Sequence, residues 1–135
     1  MTDLVITAAN VLEGTQARKQ TKTAGASITQ GQSVFVDSTD QLIPAQKDVD
    51  AGTAAAVGIA LGAAEAGQPV VFQSGGELDV GATLVVGETY VVGAAGGGIA
   101  PIADVISTEF TTILGVATAA GVLKMGILQS GVAHA

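Results

Sequence analysis

The side chains able to do chemistry are few and poorly placed for it. His134 is the one histidine, and the chain has no cysteine. A Ser-His-Asp or Cys-His relay would have to be built on that C-terminal residue, in a part of the chain that usually frays. The close acid pairs are Asp37-Ser38-Thr39-Asp40, Asp48-Val49-Asp50 and Glu77-Leu78-Asp79. A hard cation takes about six to eight oxygen ligands, and none of these stretches has the Gly and terminal Glu of a calcium loop. They read as turn-forming acids. Gly96-Gly97-Gly98 is followed by Ile99-Ala100-Pro101 with no Lys-Ser/Thr, so it reads as a wide turn rather than a phosphate cradle. The sequence therefore assigns no catalytic, cofactor-binding or metal-binding residue and implies no cofactor.

Arg18, Lys19 and Lys22 are more informative. They cluster near the start of a chain whose net charge is −7. Either they are a solvated tail or they meet acidic groups on a partner, and they are the candidate partner-binding residues. Residues 1–26 also hold Asp3 and Glu13, so this arm is net positive. The remainder sets Lys47 and Lys124 against the other acids. An acidic body argues against a nucleic-acid partner. Phe35, Phe72, Tyr90 and Phe110 are too few and scattered to make a base-stacking platform.

The 135 residues suffice for one domain with a modest core. Apolar residues make up 48%, but aromatics only 3%, so the core is built largely from Ala and Val and buries little area per residue. Charged residues are 13%, against about 25–35% for a typical soluble surface. Together with a mean hydropathy of +0.54, this implies a surface covered by copies of the chain or by a large partner. Asp3 stands where a signal peptide would be basic, and no apolar core follows it, so no leader is expected. The apolar run at 54–64 stops at Glu65 and is too short to span a bilayer.

The elements that must position these residues come in two copies. Gly58-Ile59-Ala60-Leu61 recurs as Gly115-Val116-Ala117-Thr118, and Gln73-Ser74-Gly75 as Gln129-Ser130-Gly131. Upstream, 28–36 lies over 84–92, and Leu42-Ile43-Pro44 over Ile99-Ala100-Pro101, all in the same order. This predicts two related β-rich units of about 50 residues, each burying its apolar face on the other. Strands are expected at 4–8, 32–37, 56–62, 69–73, 82–86, 88–93, 111–117 and 122–129, with glycines serving turns and bulges. Residues 50–66 could instead form a helix capped by Asp50, but Gly58 and Gly62 oppose it, leaving at most a helical turn at 48–53. The expected fold is all-β: a small (tulip-like) β-barrel or β-sandwich of two related halves with an extended N-terminal arm. The arm is 1–26, and one β domain covers 27–135, with repeats at about 27–76 and 77–132.

Several stretches carry a resemblance. They are Ile6-Thr7-Ala8-Ala9-Asn10-Val11, Thr23–Gln32, Gly58-Ile59-Ala60-Leu61, Ala66-Gly67-Gln68-Pro69-Val70, Tyr90-Val91-Val92, Gly97-Gly98-Ile99-Ala100-Pro101 and Leu114–Thr118. Over nearly its whole length the chain resembles the small capsid decoration (cement) proteins of tailed bacteriophages. The resemblance implies a non-enzymatic protein on the outer surface of an assembled head, commonly a homotrimer. Such a protein would bind the major capsid protein and bridge neighbouring capsomers, with no nucleic acid or membrane as partner. Another virion component is the alternative: a head fibre, a tail or baseplate module, or a carbohydrate-binding tip, which would want exposed aromatics. A third class, an enzyme or small-ligand carrier, would need a deep pocket lined by Asp and Glu.

Overall fold

The computed structural model describes residues 4, 6, 11–14, 16–45, 55–93, 97–102 and 109–133. These form ten strands and no helix. In order they are β1 (Val11–Glu13), β2 (Arg18–Thr23), β3 (Ser33–Val36), β4 (Leu42–Pro44), β5 (Gly58–Ala60), β6 (Pro69–Val80), β7 (Thr89–Val92), β8 (Ile99–Pro101), β9 (Phe110–Ala119) and β10 (Val122–Ala133). Every pairing between them is antiparallel, and the sheet curls into a half-barrel. The all-β expectation holds. Residues 55–66 contain no helix, while the turn considered at 48–53 lies outside the described residues.

The pairing pattern repeats. In the first half β3 pairs β4 and β5, and β5 pairs β6. In the second half β7 pairs β8 and β9, and β9 pairs β10. The sheet order β4-β3-β5-β6-β10-β9-β7-β8 therefore reads the same outward from the β6–β10 junction. These are the segments that the sequence aligns with one another, so the likeness lies in the ladder as well as in the letters.

Two local expectations fail. Residues 82–86 are not a strand: they form an irregular connection between Gly81 (φ 71°) and Gly87 (φ 86°). A left-handed backbone at both ends turns the chain too sharply for a ladder, and Leu84 drops into the core instead. Conversely, β6 does not stop at Gln73 but runs through Gly75-Gly76 to Val80. The glycines read as a terminus because they weaken a strand. Here they let another strand come close.

That other strand is the arm. β1 pairs with β6 at residues 78–80 and β2 pairs with it at 69–75. Asp79 faces both Leu12 and Val122, and Gln73 faces both Lys19 and Ile59, so the arm lies along one edge of β6 with β5 and β10 along the other. β6 is thus flanked on both edges along its length, and the arm is part of the sheet.

Two clusters form the core. One gathers Val34, Leu42, Ala60, Val70 and Phe72 of the first half with Ala24 and Ile28. The larger joins Leu78, Val80, Tyr90, Val92, Ile99, Leu114 and Leu123 with Val11 of the arm. β5 is buried throughout: Ile59 belongs to the larger cluster and its neighbour Ala60 to the smaller, as the two-residue period of a strand dictates. Its Gly58 is needed for space, because a Cβ there would strike the Gln73 carbonyl oxygen. Gly115, the equivalent residue of the second half, stands in the same relation to the Lys124 carbonyl on β10.

Candidate functional site

Between β1 and β2 the arm bulges around Gly14, Gln16 and Ala17. Gln16 takes a left-handed backbone (φ 58°), and its carbonyl presses on Gly76, itself at φ 81°. The Gly14 N–H donates to the Glu77 carbonyl at 2.8 Å, and the ladder slips by one residue between Arg18 and Lys19. A side chain at Gly76 would collide with this backbone, so the glycine is what admits the bulge. The bulge in turn lays Arg18 over Gly75, where the Arg18 Nε is 3.0 Å from the place a Cβ would occupy.

Across β6, Lys124 sits on β10 opposite Glu77, with Val116 of β9 on its other side. Arg18 and Lys124 meet in a groove of about 530 Å³ lined also by Gln16, Gly76, Glu77, Thr118 and Met125. The strands that hold these side chains are paired through the site, so the groove is built on rigid backbone.

The three cations singled out from the sequence therefore divide. Lys19 pairs with Glu13 at 2.8 Å, and Lys22 donates to Asp40 Oδ1 at 2.9 Å, tying the arm to the β3–β4 turn. The side chains of Arg18 and Lys124 make no hydrogen bond or ion pair among the described residues. Both intramolecular pairs are exposed and worth little to stability. Of the three, Arg18 alone has a side chain without an ion pair to a described residue. Lys124 had no sequence signal: its neighbours are apolar, and only the β6–β10 pairing brings it to the arm.

The other chemical candidates have structural uses. The Asp37 carboxylate accepts from the N–H groups of Gln41 (3.0 Å) and Thr39 (2.9 Å) and from the Thr39 hydroxyl (2.7 Å). The Gln41 amide, and next the Thr39 hydroxyl, hold its pKa below the ordinary value. It closes the β3–β4 turn, in which Asp40 is left-handed (φ 65°). Asp79 Oδ1 accepts from the Gly81 N–H at 3.1 Å. Gly97 donates its N–H to the Ala45 carbonyl and its own carbonyl accepts from Ser33 N–H, so this turn fastens the two halves. Asp48, Asp50, Gly96 and His134 lie outside the described residues. Among the described residues no three His, Asp or Glu side chains gather as a metal site. Phe72 and Tyr90 are core residues, and Phe35 packs partly buried against the core.

One surface feature escaped the sequence reading. Val85 and Val86 are 66% and 64% exposed. Their turn is held by hydrogen bonds from Val85 N–H to the Tyr90 hydroxyl (3.0 Å), Leu84 N–H to the Ala120 carbonyl (2.6 Å) and Gly87 N–H to the Ala117 carbonyl (2.8 Å). The apolar knuckle is thereby fixed against the end of β9, whose Thr118 lines the groove. No family model matches this chain, and no curated protein matches it significantly.

Proposed function

We propose that this chain is a structural, non-enzymatic virion protein. It binds the outer surface of an assembled tailed-phage capsid, as a homotrimer, and bridges neighbouring capsomers. The observation that carries the reading is the surface. A chain with 13% charged residues keeps Leu12, Val85, Val86 and Leu128 more than half exposed, on firmly paired strands and turns. Apolar groups held rigidly in water favour association with a further surface. The sequence resemblance to decoration proteins supports a capsid as that surface. A trimer touching several capsomers gains from effective concentration even when each contact is weak.

The experiment is co-sedimentation with undecorated heads. The protein pellets with heads and raises their resistance to heat, and light scattering of the free protein gives the mass of a trimer. A protein that stays in the supernatant at every concentration, or heads that burst at an unchanged temperature, would overturn the reading.

A further inference from the structure

We infer that the groove between the arm and the β9–β10 hairpin is a docking site for a carboxylate-bearing segment of a partner protein. Arg18 and Lys124 grip the carboxylate, and Thr118 and Met125 line the groove beside it. This names the contact through which the proposed capsid attachment would be made, and in that sense it rests on that reading.

Charge selects the site. The described residues hold four cations, and two of them, Lys19 and Lys22, are already neutralised by carboxylates of the chain itself. The other two converge on one groove and have no partner there. Against a chain of net charge −7, this groove is where the unpaired cations of the described residues gather. Arg18 presents the planar fork that suits a carboxylate, and Lys124 adds a point charge across from it.

Charge also selects the partner. Glu77 lines the same groove, so a dense polyanion would meet a repelling carboxylate as well as two cations. The acidic remainder of the chain repels nucleic acid at long range. An isolated Asp or Glu in an otherwise neutral or apolar segment avoids both costs. The volume, about 530 Å³, accommodates a few side chains rather than a polymer. The strands holding Arg18 and Lys124 are both paired to β6, so little backbone order is lost on docking.

The test compares the wild type with Arg18→Glu, Lys124→Glu and the double variant, with Lys19→Glu as a control of equal charge change on the same arm. The probe is a soluble peptide with one Glu flanked by Val and Gly, titrated while backbone amide shifts are followed. Saturable shifts at Gly75, Gly76 and Lys124 are expected, weakened about tenfold in each single variant, lost in the double variant and retained in Lys19→Glu. The milder Arg18→Gln and Lys124→Gln serve should a reversal unfold the protein. Absent shifts, equal shifts in the double variant, or tighter binding of a short oligonucleotide than of the peptide would overturn the proposal. Head pelleting separates the two readings. If the wild type does not pellet but the peptide saturates, the capsid reading falls and the site stands. If the wild type and double variant pellet alike, the site falls and the capsid reading stands.

Discussion

Gln73 and Gln129 align in the sequence repeat, yet the ladder sets them apart, Gln73 lying opposite Ile59 and Gln129 opposite Thr112, and their amides close different gaps. Gln73 Nε2 donates to the carbonyls of Gly75 (2.9 Å) and Glu77 (2.8 Å) on its own strand. Gln129 Nε2 reaches back to the carbonyls of Ala55 (3.1 Å) and Ala56 (2.9 Å) just before β5. The difference follows the arm. Gln73 is buried beside the point where β2 slips register against β6; its amide adds a second donor to the Glu77 carbonyl, which the Gly14 N–H already reaches, and its own Oε1 has no hydrogen bond. Gln73→Ala removes one buried and one part-buried hydrogen bond and is expected to cost about 2–4 kcal/mol. Gln129→Ala, at an exposed site, is expected to cost about 1 kcal/mol. Urea unfolding of both variants measures the difference, and equal losses would contradict this assignment.

Gly58 and Gly115 make the same close approach in the two halves. Neither has a left-handed backbone, so the objection to a side chain is steric: the carbonyl oxygens of Gln73 and Lys124 stand where a Cβ would go. Alanine at either position must push two paired strands apart. Each substitution is expected to destabilise by about 1–3 kcal/mol. Thermal unfolding of Gly58→Ala and Gly115→Ala checks this, and a neutral effect at either site would show that the ladder yields easily.

Gly76 admits the arm. Alanine there is strained by the positive φ and blocked by the Gln16 backbone. Gly76→Ala is expected to loosen residues 14–23 from β6 while much of the fold persists, at a cost of about 2 kcal/mol. Limited trypsin digestion reads this directly, because Arg18, Lys19 and Lys22 are the cleavage sites in the arm. Faster cutting there than in the wild type is expected, and an unchanged rate would mean that the arm docks without the bulge.

Tyr90 connects the core to the apolar knuckle. Its ring is buried and its hydroxyl accepts the Val85 N–H. Tyr90→Phe keeps the ring and removes the acceptor. The expected loss is about 1 kcal/mol, with faster hydrogen exchange at Val85 and Val86. Exchange protection that survives the substitution would place the constraint elsewhere in the turn.

Asp37 makes stability depend on acid. Its folded pKa lies below the ordinary 3.8, chiefly because the Gln41 amide and the Thr39 hydroxyl favour the carboxylate. The unfolded chain therefore takes up this proton at a higher pH than the folded one. The stabilisation is fully present above the unfolded value and is lost as pH falls through the folded value. Asp37→Asn should lower stability at neutral pH and flatten the decline below pH 3.8. Denaturation midpoints across that range test the sign, and parallel curves for both proteins would exclude the contribution.

The sequence by itself determined the class of structure and its duplication. Val- and Ile-rich runs punctuated by glycine can bury an apolar face as strands, and recurrence in a common order pointed to two related units, whose strand pairing only the structure supplied. It could not show that the arm would lie along β6, because a strand such as Arg-Lys-Gln-Thr-Lys-Thr has no apolar face and is held by backbone hydrogen bonds to a distant edge. Only the tertiary structure decided that Lys19 and Lys22 pair with Glu13 and Asp40, and that Arg18 and Lys124 line one groove. Periodicity records which face of a segment is buried. Which segments become neighbours is settled by ladder register between residues far apart in the chain, and no local pattern encodes it.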